Sequence, residues 1–343
     1  MSAAEQREWM TSGIGRPPMF QWLAEHRDDF DFFVFLPYLF NTTVLGIEAV
    51  KDKAIAIPCL HDEGPAYTQV VREALESARG IFFNAPGERD FALDTLRIAN
   101  PNCFTLGMGM DLDRRGDARA FAAKHGIEGE YLVYCGRLEE GKNVPWLIEC
   151  FTRYKARHPG PLKLVLIGNG DAPKHPDVVA LGFLPEQEKH DALAGAVALV
   201  NPSVNESFSI VLMESWIQRR PVLVHARCAV TADHVARSGG GLTFEDDAGF
   251  EAAVRALVTQ PAQATRMGAD GYRYVEETYS WPVLLKRFEA CLNLLRTASA
   301  YEDLAVKGIA RARHFAHHRY AERWRAFLDH ARAQSPAGTA AER

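Results

Sequence analysis

Two glutamates, Glu206 and Glu214, stand eight residues apart around the apolar run Phe208-Ser-Ile-Val-Leu-Met213. The preceding residues, Ala196-Val-Ala-Leu-Val-Asn-Pro202, are a short apolar stretch closed by a turn pair, which predicts a buried strand. Glu206 is then expected in a strand-to-helix loop and Glu214 about two turns into the helix. Such loops lie at the carboxyl edge of a parallel sheet, where open α/β folds bind ligands. A helix N-terminus there offers unpaired N–H groups and partial positive charge, which suit a phosphate. A carboxylate beside an anion site is tolerable when it faces hydroxyls. The pair therefore points to a ligand with a phosphate centre and hydroxyl-rich ends, such as a nucleotide sugar. The same residues also fit a plainer arrangement, one Glu favouring the helix dipole and one on the surface.

A second edge strengthens the first reading. Tyr131-Leu-Val-Tyr-Cys-Gly-Arg137 predicts a strand, and Leu138-Glu-Glu-Gly-Lys142 a glycine-bearing loop into a helix from about Asn143. Arg137 and Lys142, a bidentate guanidinium and a compact ammonium, suit a diphosphate. Two solvated surface cations are the alternative.

At this point the motifs resemble a known family. Gly136-Arg-Leu-Glu-Glu-Gly-Lys142 is similar to the G-R-L-x-x-x-K motif of glycosyltransferase family 4, and Glu206 to Glu214 to its E-x7-E motif. These are group 1, retaining enzymes of GT-B architecture. Leu164-Val-Leu-Ile-Gly-Asn-Gly170, Val179-Ala-Leu-Gly-Phe183 and Gly240-Gly-Leu-Thr-Phe244 follow in the family's order. The resemblance runs from about Phe32 to Leu292 and is more specific in the second half. It implies that Gly136, Arg137 and Lys142 hold the donor diphosphate and that Ser209 and Ile210 offer it backbone N–H groups. It also implies that Glu206 meets the sugar hydroxyls at the reaction centre and Glu214 the ribose. His61, in Cys59-Leu-His-Asp-Glu63, would line the reaction centre; a loop-stabilising pair with Asp62 is the other reading. Phe183 either borders the nucleobase or belongs to the core. The charge leaving on the diphosphate would be met by Arg137, Lys142 and the helix N-terminus, so neither metal nor cofactor is expected.

The elements that must position these residues read as an alternation of strands and helices, hence a parallel α/β architecture. Strands are expected at Phe32–Leu36, Ala54–Cys59, Gly80–Asn84 and Cys103–Gly107, with helices at Thr43–Val50, Ala66–Ser77 and Pro86–Leu96. Strands at 131–135, 163–167, 179–182, 196–200 and 221–225 follow. The expected fold is GT-B-like, two Rossmann-like parallel-sheet domains facing a cleft, the first incomplete. Residues 1–110 form the shortened acceptor-side lobe, 111–129 a polar connection, and 130–280 the nucleotide-sugar-binding domain. Residues 281–334 hold C-terminal helices, the first (to about Leu295) crossing back to the first lobe, and 335–343 a frayed tail. A second amphipathic segment, Leu304–Ala331, carries His314, His317 and His318 and five arginines from Arg311 to Arg325. It reads as a solvated basic helix or a contact with an anionic membrane surface.

Composition excludes other classes. The chain has 343 residues, 47% hydrophobic and 24% charged, as expected of a globular protein with two cores. A net charge of −5 leaves no footprint for nucleic acid. Six cysteines without a C-x-x-C pair suggest reduced, buried thiols. With a polar start and no long apolar run, the expectation is a cytoplasmic protein, at most peripheral at the inner face of the membrane. Gly168-Asn-Gly170 is half a dinucleotide fingerprint, but Pro173 replaces the third glycine. Asp29-Phe-Asp31 and Asp111-Leu-Asp113 read as solvated acids rather than a metal site. The expected activity is retaining transfer of a hexosyl-type sugar (EC 2.4) from a nucleotide donor to a glycan or lipid-linked acceptor, as in cell-envelope polysaccharide synthesis. The competing class is a non-catalytic or partner-dependent subunit. With the first sheet incomplete, one edge is expected to be unpaired and covered by Trp9–Trp22, by the extra C-terminal helix, or by another chain or second copy, and only cover by another chain fits the partner-dependent class.

Overall fold

The computed structural model describes residues 1–12 and 17–312, with Pro17 and residues 298–312 described by backbone alone. Two helices open the chain, α1 (Ala3–Thr11) and α2 (Pro17–Glu25). Ser2 and Glu5 cap α1 reciprocally, a pattern that satisfies two otherwise orphaned N–H groups. The first sheet follows, with β1 (Phe33–Phe35), β2 (Ala54–Ala56), β3 (Gly80–Phe83) and β4 (Cys103–Thr105) all parallel in the order β1-β2-β3-β4. The crossovers are α3 (Asn41–Ala49), α4 (Gln69–Ser77) and α5 (Pro86–Asp90), the last running on as a π-turn over Phe91–Thr95. β2 stops at Ala56, three residues short of expectation. Pro58 cannot donate to the ladder, and Cys59 lies in the left-handed region at φ 57°. Likewise α4 starts at Gln69 rather than Ala66, because Gly64–Tyr67 forms a 3₁₀ turn and Thr68 is extended.

Parallel sheets need both faces covered. One face of this sheet, with Phe35, Ala56, Ile81 and Phe83, packs on Val44, Ile47, Val71 and Leu75 of α3 and α4. The other, with Ile55, Phe82 and Leu106, is covered by Leu284, Cys291 and Leu295 from the far end of the chain. Among the described residues the edge strand β1 pairs with β2 alone, and Val34 is 42% exposed. α1 packs on α3 and α4, and α2 on α3.

The polar segment 111–129 is not a plain connection. It contains α6 (Ala118–His125), capped by Asp117, ended by Gly126 at φ 61°, and docked on the helix that follows Pro185. Only Phe121 of α6 is buried, which is why the sequence shows little helical periodicity there. The second sheet contains β5 (Tyr131–Cys135), β6 (Lys163–Ile167), β7 (Val178–Ala180), β8 (Ala198–Asn201), β9 (Val222–His225) and β10 (Gly241–Phe244). Its helices are α7 (Val144–Arg157), α8 (Glu186–Gly195), α9 (Ile210–Ile217), α10 (Ala229–Ser238), α11 (Asp247–Thr259) and α12 (Pro261–Tyr279). All six strands are parallel, in the order β10-β9-β8-β5-β6-β7.

α13 (Trp281–Ala312) leaves the second sheet and crosses the first. It is one helix where a break after Leu295 was expected; the rest of Leu304–Ala331, with its histidines, and the tail lie outside the described residues. The Arg287 guanidinium donates to the carbonyls of Leu106 and Thr278 at 2.6 and 3.1 Å, tying both lobes to this helix. Elsewhere the lobes meet at α5 and α10, where a Cβ on Gly87 would lie 3.1 Å from the Val230 Cα.

Candidate functional site

The strand order places the site. From β5 the chain moves to β6 and β7 on one side, then returns to β8, β9 and β10 on the other. The carboxyl ends of β5 and β8 therefore flank a topological switch point, the crevice where open α/β sheets bind ligands. The loop after β5 carries Gly136, Arg137 and Lys142, and the loop after β8 carries Glu206 and Ser209. The two loops meet in a salt bridge from Lys142 Nζ to Glu206 Oε1 at 2.9 Å, with both side chains mostly shielded. The Asn143 amide adds a bond to the Pro202 carbonyl at 3.2 Å.

Glycines set the shape of the first loop. Gly136 has φ 156°, and a Cβ there would meet the Tyr134 hydroxyl at 2.7 Å. That hydroxyl donates to the Arg137 carbonyl at 2.9 Å. The half-fingerprint Gly168-Asn-Gly170 has a packing purpose here. A Cβ on Gly168 would lie 1.8 Å from the Gly136 carbonyl, and the Leu138 N–H donates to the Asn169 carbonyl at 2.8 Å. These glycines let one loop lie on the other and fix the base from which Arg137 projects. Arg137 itself points outward and pairs with Glu139 at 3.1 Å.

The second loop turns into α9 through Ser209, which holds φ 67° and receives the Asn201 amide on its hydroxyl at 2.9 Å. Ile210 opens the helix, so the first-turn N–H groups face the loop side without carbonyls four residues back. α9 is locked by Trp216, fully buried, whose indole N–H donates to the Gly240 carbonyl at 2.8 Å. Gly271 makes room for it, since a Cβ there would lie 2.1 Å from the ring.

Glu214 lies in the second turn of α9, one turn earlier than expected, and is buried (6% exposed). It is not a surface acid. Lys189 of α8 reaches its Oε1 at 2.7 Å and Glu186 Oε1 at 2.9 Å. Burial raises the Glu214 carboxyl, opposed by the Lys189 hydrogen bond and charge. For Lys189, burial disfavours the ammonium, but the bond and charge of Glu214, joined by Glu186, outweigh it and leave its pKa raised. Glu186, His190 and Glu214 bring three metal-type ligand atoms within 4.8 Å, and the Lys189 ammonium contacts both of the carboxylates. Lys189 was not singled out from sequence; its partner is 25 positions away, and only the charged cluster after Phe183 marks the region. Phe183, on the loop after β7, is 76% exposed and is therefore not a core aromatic.

His61 lies apart from these residues, on the carboxyl side of the first sheet after β2. Its Nδ1 is 3.4 Å from Glu63, whereas Asp62 accepts from the Tyr67 hydroxyl at 2.6 Å. In place of the alternative His61–Asp62 pair stands His61–Glu63, with the Tyr38 hydroxyl also on Glu63 at 2.8 Å. The acids Asp29, Asp31 and Asp111 of the two D-x-D sequences are exposed, as expected, and also carry local partners. Asp31 receives Arg296 of α13 at 2.8 Å, Asp29 pairs with His26 at 2.7 Å, and Asp111 accepts from the Trp281 indole at 3.0 Å. The described residues contain six free cysteines and no helix long and apolar enough to cross a membrane.

Residues 129–260 match the family model described as Glycosyl transferases group 1. A D-inositol 3-phosphate glycosyltransferase from Kineococcus radiotolerans is 26% identical over 262 residues, covering 66% of this chain and 59% of that protein. A glycogen synthase from Mycobacterium tuberculosis is 30% identical over 201 residues, covering 54% and 45%. The chain spans about half the length of the curated relatives it matches. Among solved structures, HepE from Anabaena in complex with UDP superposes with a TM-score of 0.70 at 12% identity, covering 80% of this chain and 82% of that one. Sucrose-phosphate synthase from Thermosynechococcus elongatus gives 0.64 at 18%, covering 85% and 78%. The fold is GT-B-like, with two Rossmann-like parallel sheets.

Proposed function

From a GT-B-like fold whose residues 129–260 match the group 1 glycosyl transferases, we propose that this protein transfers a sugar from a nucleotide-diphosphate donor, in the retaining manner of family 4. One observation carries the reading. At the switch point, a shielded ammonium on one strand-end loop meets a shielded carboxylate on the other, at 2.9 Å, beside the N-terminus of α9. That is a cation for a diphosphate next to an acceptor for sugar hydroxyls. Lys142 turns from Glu206 to the diphosphate as donor binds, and Arg137 swings in from the rim. Released Glu206 then accepts from the donor sugar, while Glu214 takes the ribose hydroxyls. As the sugar departs with oxocarbenium character, negative charge grows on the diphosphate. Arg137, Lys142 and the first-turn N–H groups at Ser209 and Ile210 stabilise it there, and no metal is required for that task. His61, from the opposite lobe, orients a hydroxyl of the reacting sugar. Phe183 borders the base. The acceptor is a glycan or lipid-linked glycan at the cytoplasmic side of the envelope. That the HepE structure holds UDP on the same fold supports the donor class.

Calorimetry tests the assignment. The protein should bind one of UDP, GDP or ADP in excess chelator and should not bind a nicotinamide nucleotide. Lys142→Ala should weaken that binding by about 1–3 kcal/mol, the range for charge-assisted hydrogen bonds. Glu214→Ala should weaken it through the ribose, and Glu206→Ala should chiefly slow turnover. Unchanged affinity in both Lys142→Ala and Glu214→Ala would remove the donor site from this crevice.

A further inference from the structure

The clamp on Glu214 comes from a helix outside both motifs, and it bears on which nucleotides the site accepts. Glu214 is buried on a helix that Trp216 locks in place, so its carboxylate cannot swing out to water to escape its desolvation. A buried carboxylate without a partner either loses its charge or destabilises the fold. Here the partner is supplied from α8, whose Lys189 spans Glu214 and Glu186 at 2.7 and 2.9 Å. Glu186 is the more exposed of the two acids, and Gln218 and His190 close the far side, with His190 Nε2 3.4 Å from Glu186. The ammonium engages Oε1 of Glu214, and a carboxylate has a second oxygen for a diol. α8 also begins directly after the loop that bears Phe183, so base-side and ribose-side groups are linked through one helix.

Building on the nucleotide-sugar reading above, we propose that Lys189, shared with Glu186, is a positioning residue that holds the Glu214 carboxylate as a charged acceptor and thereby makes the donor site select ribonucleotides. Removing the ammonium leaves Glu214 buried beside Glu186 without a counter-charge. A neutral or displaced carboxyl accepts poorly from hydroxyls, so the loss should fall on the ribose and spare the diphosphate.

The test is calorimetry on the full chain with UDP, ADP or GDP, whichever the wild type binds most tightly, against its 2′,3′-dideoxy analogue. The wild type should prefer the ribonucleotide by roughly tenfold or more, as expected for bonds to a charged acceptor. Lys189→Met should lose about tenfold affinity for the ribonucleotide and no more than about twofold for the dideoxy analogue. Lys189→Arg should keep most of the preference. An equal loss for both nucleotides would mean that Lys189 serves only folding, and wild-type binding of both by Lys189→Met would equally overturn the inference. If Lys189→Met does not fold, Lys189→Gln, which keeps a donor without the charge, is read against the same outcomes. If the wild type binds none of the three diphosphates, the donor-site reading fails and takes this inference with it; if it binds and the variants match it, only the inference fails.

Discussion

Glu88 shows how a single buried acid shapes the first lobe. It is 1% exposed, and its two oxygens accept from the Leu60 N–H at 2.7 Å and the Asn84 N–H at 2.6 Å. It thus joins the chain ends after β2 and β3, directly beneath the loop that presents His61. Burial pushes its carboxyl up to about 8, against the pull of those N–H groups. An unfolded glutamate ionises near 4.5, so between about 4.5 and about 8 the folded state holds the extra proton. Stability should therefore fall as pH rises through that window, by at most about 1.4 kcal/mol per pH unit from this group. Glu88→Gln turns a donor toward one of the two N–H groups and should be less stable overall, but with a flatter profile. Urea unfolding of both proteins from pH 5 to 8 checks this, and parallel profiles would refute it.

Among the elements, α13 bears the most structural responsibility for the first lobe. Four strands of three or four residues cannot bury a two-sided sheet with the α3–α5 layer alone. The second face is sealed by a helix from beyond the second sheet, and Leu295, near its middle, is fully buried against Gly80, 3.1 Å from where a Cβ there would lie. Leu295→Ala should cost about 2–5 kcal/mol, the range for emptying a core leucine site. The readout is a lowered urea midpoint for the transition that reports Trp9 and Trp22 fluorescence on the first lobe. A change under about 1 kcal/mol would show that the sheet closes without this helix.

For the whole molecule, the division of labour is between lobes. Every residue assigned to the diphosphate and ribose stands on the second sheet, whereas His61 stands on the first. Nucleotide binding should then be insensitive to how the lobes meet, and transfer should depend on it. Gly87 is the place to separate the two, because its Cα faces the Val230 backbone across the lobe contact. Gly87→Leu should wedge α5 from α10, leaving nucleoside diphosphate affinity within about twofold while lowering donor turnover about tenfold or more, as misplacement of reacting groups does. Equal effects on both would place the lobe contact within the binding machinery. Running the turnover assay alongside light scattering also addresses the β1 edge: transfer by the monomer supports a self-contained enzyme, and transfer only as an oligomer or with a second chain supports a partner-dependent subunit.

Much of the second sheet was legible in the sequence because its strands are continuous apolar runs punctuated by Pro and Gly, and its motifs sit where those runs stop. Arg137, Lys142, Glu206 and Glu214 could all be placed on loops or helix turns from local pattern alone. Local pattern does not contain strand order, so it could not show that Lys142 and Glu206, 64 positions apart, face each other at the switch point. Nor could it show that Glu214 faces inward to Lys189, that Asp31 and Asp111 secure α13, or that His61 turns to Glu63. The polar stretch around α6 hid a helix because only Phe121 is buried, and α13 runs on past Leu295 to Ala312 without the expected break. Residue type and spacing determined which groups could bind a nucleotide sugar. The tertiary structure alone decided which of those groups neutralise one another, since charge pairing depends on distance in space and not on separation along the chain.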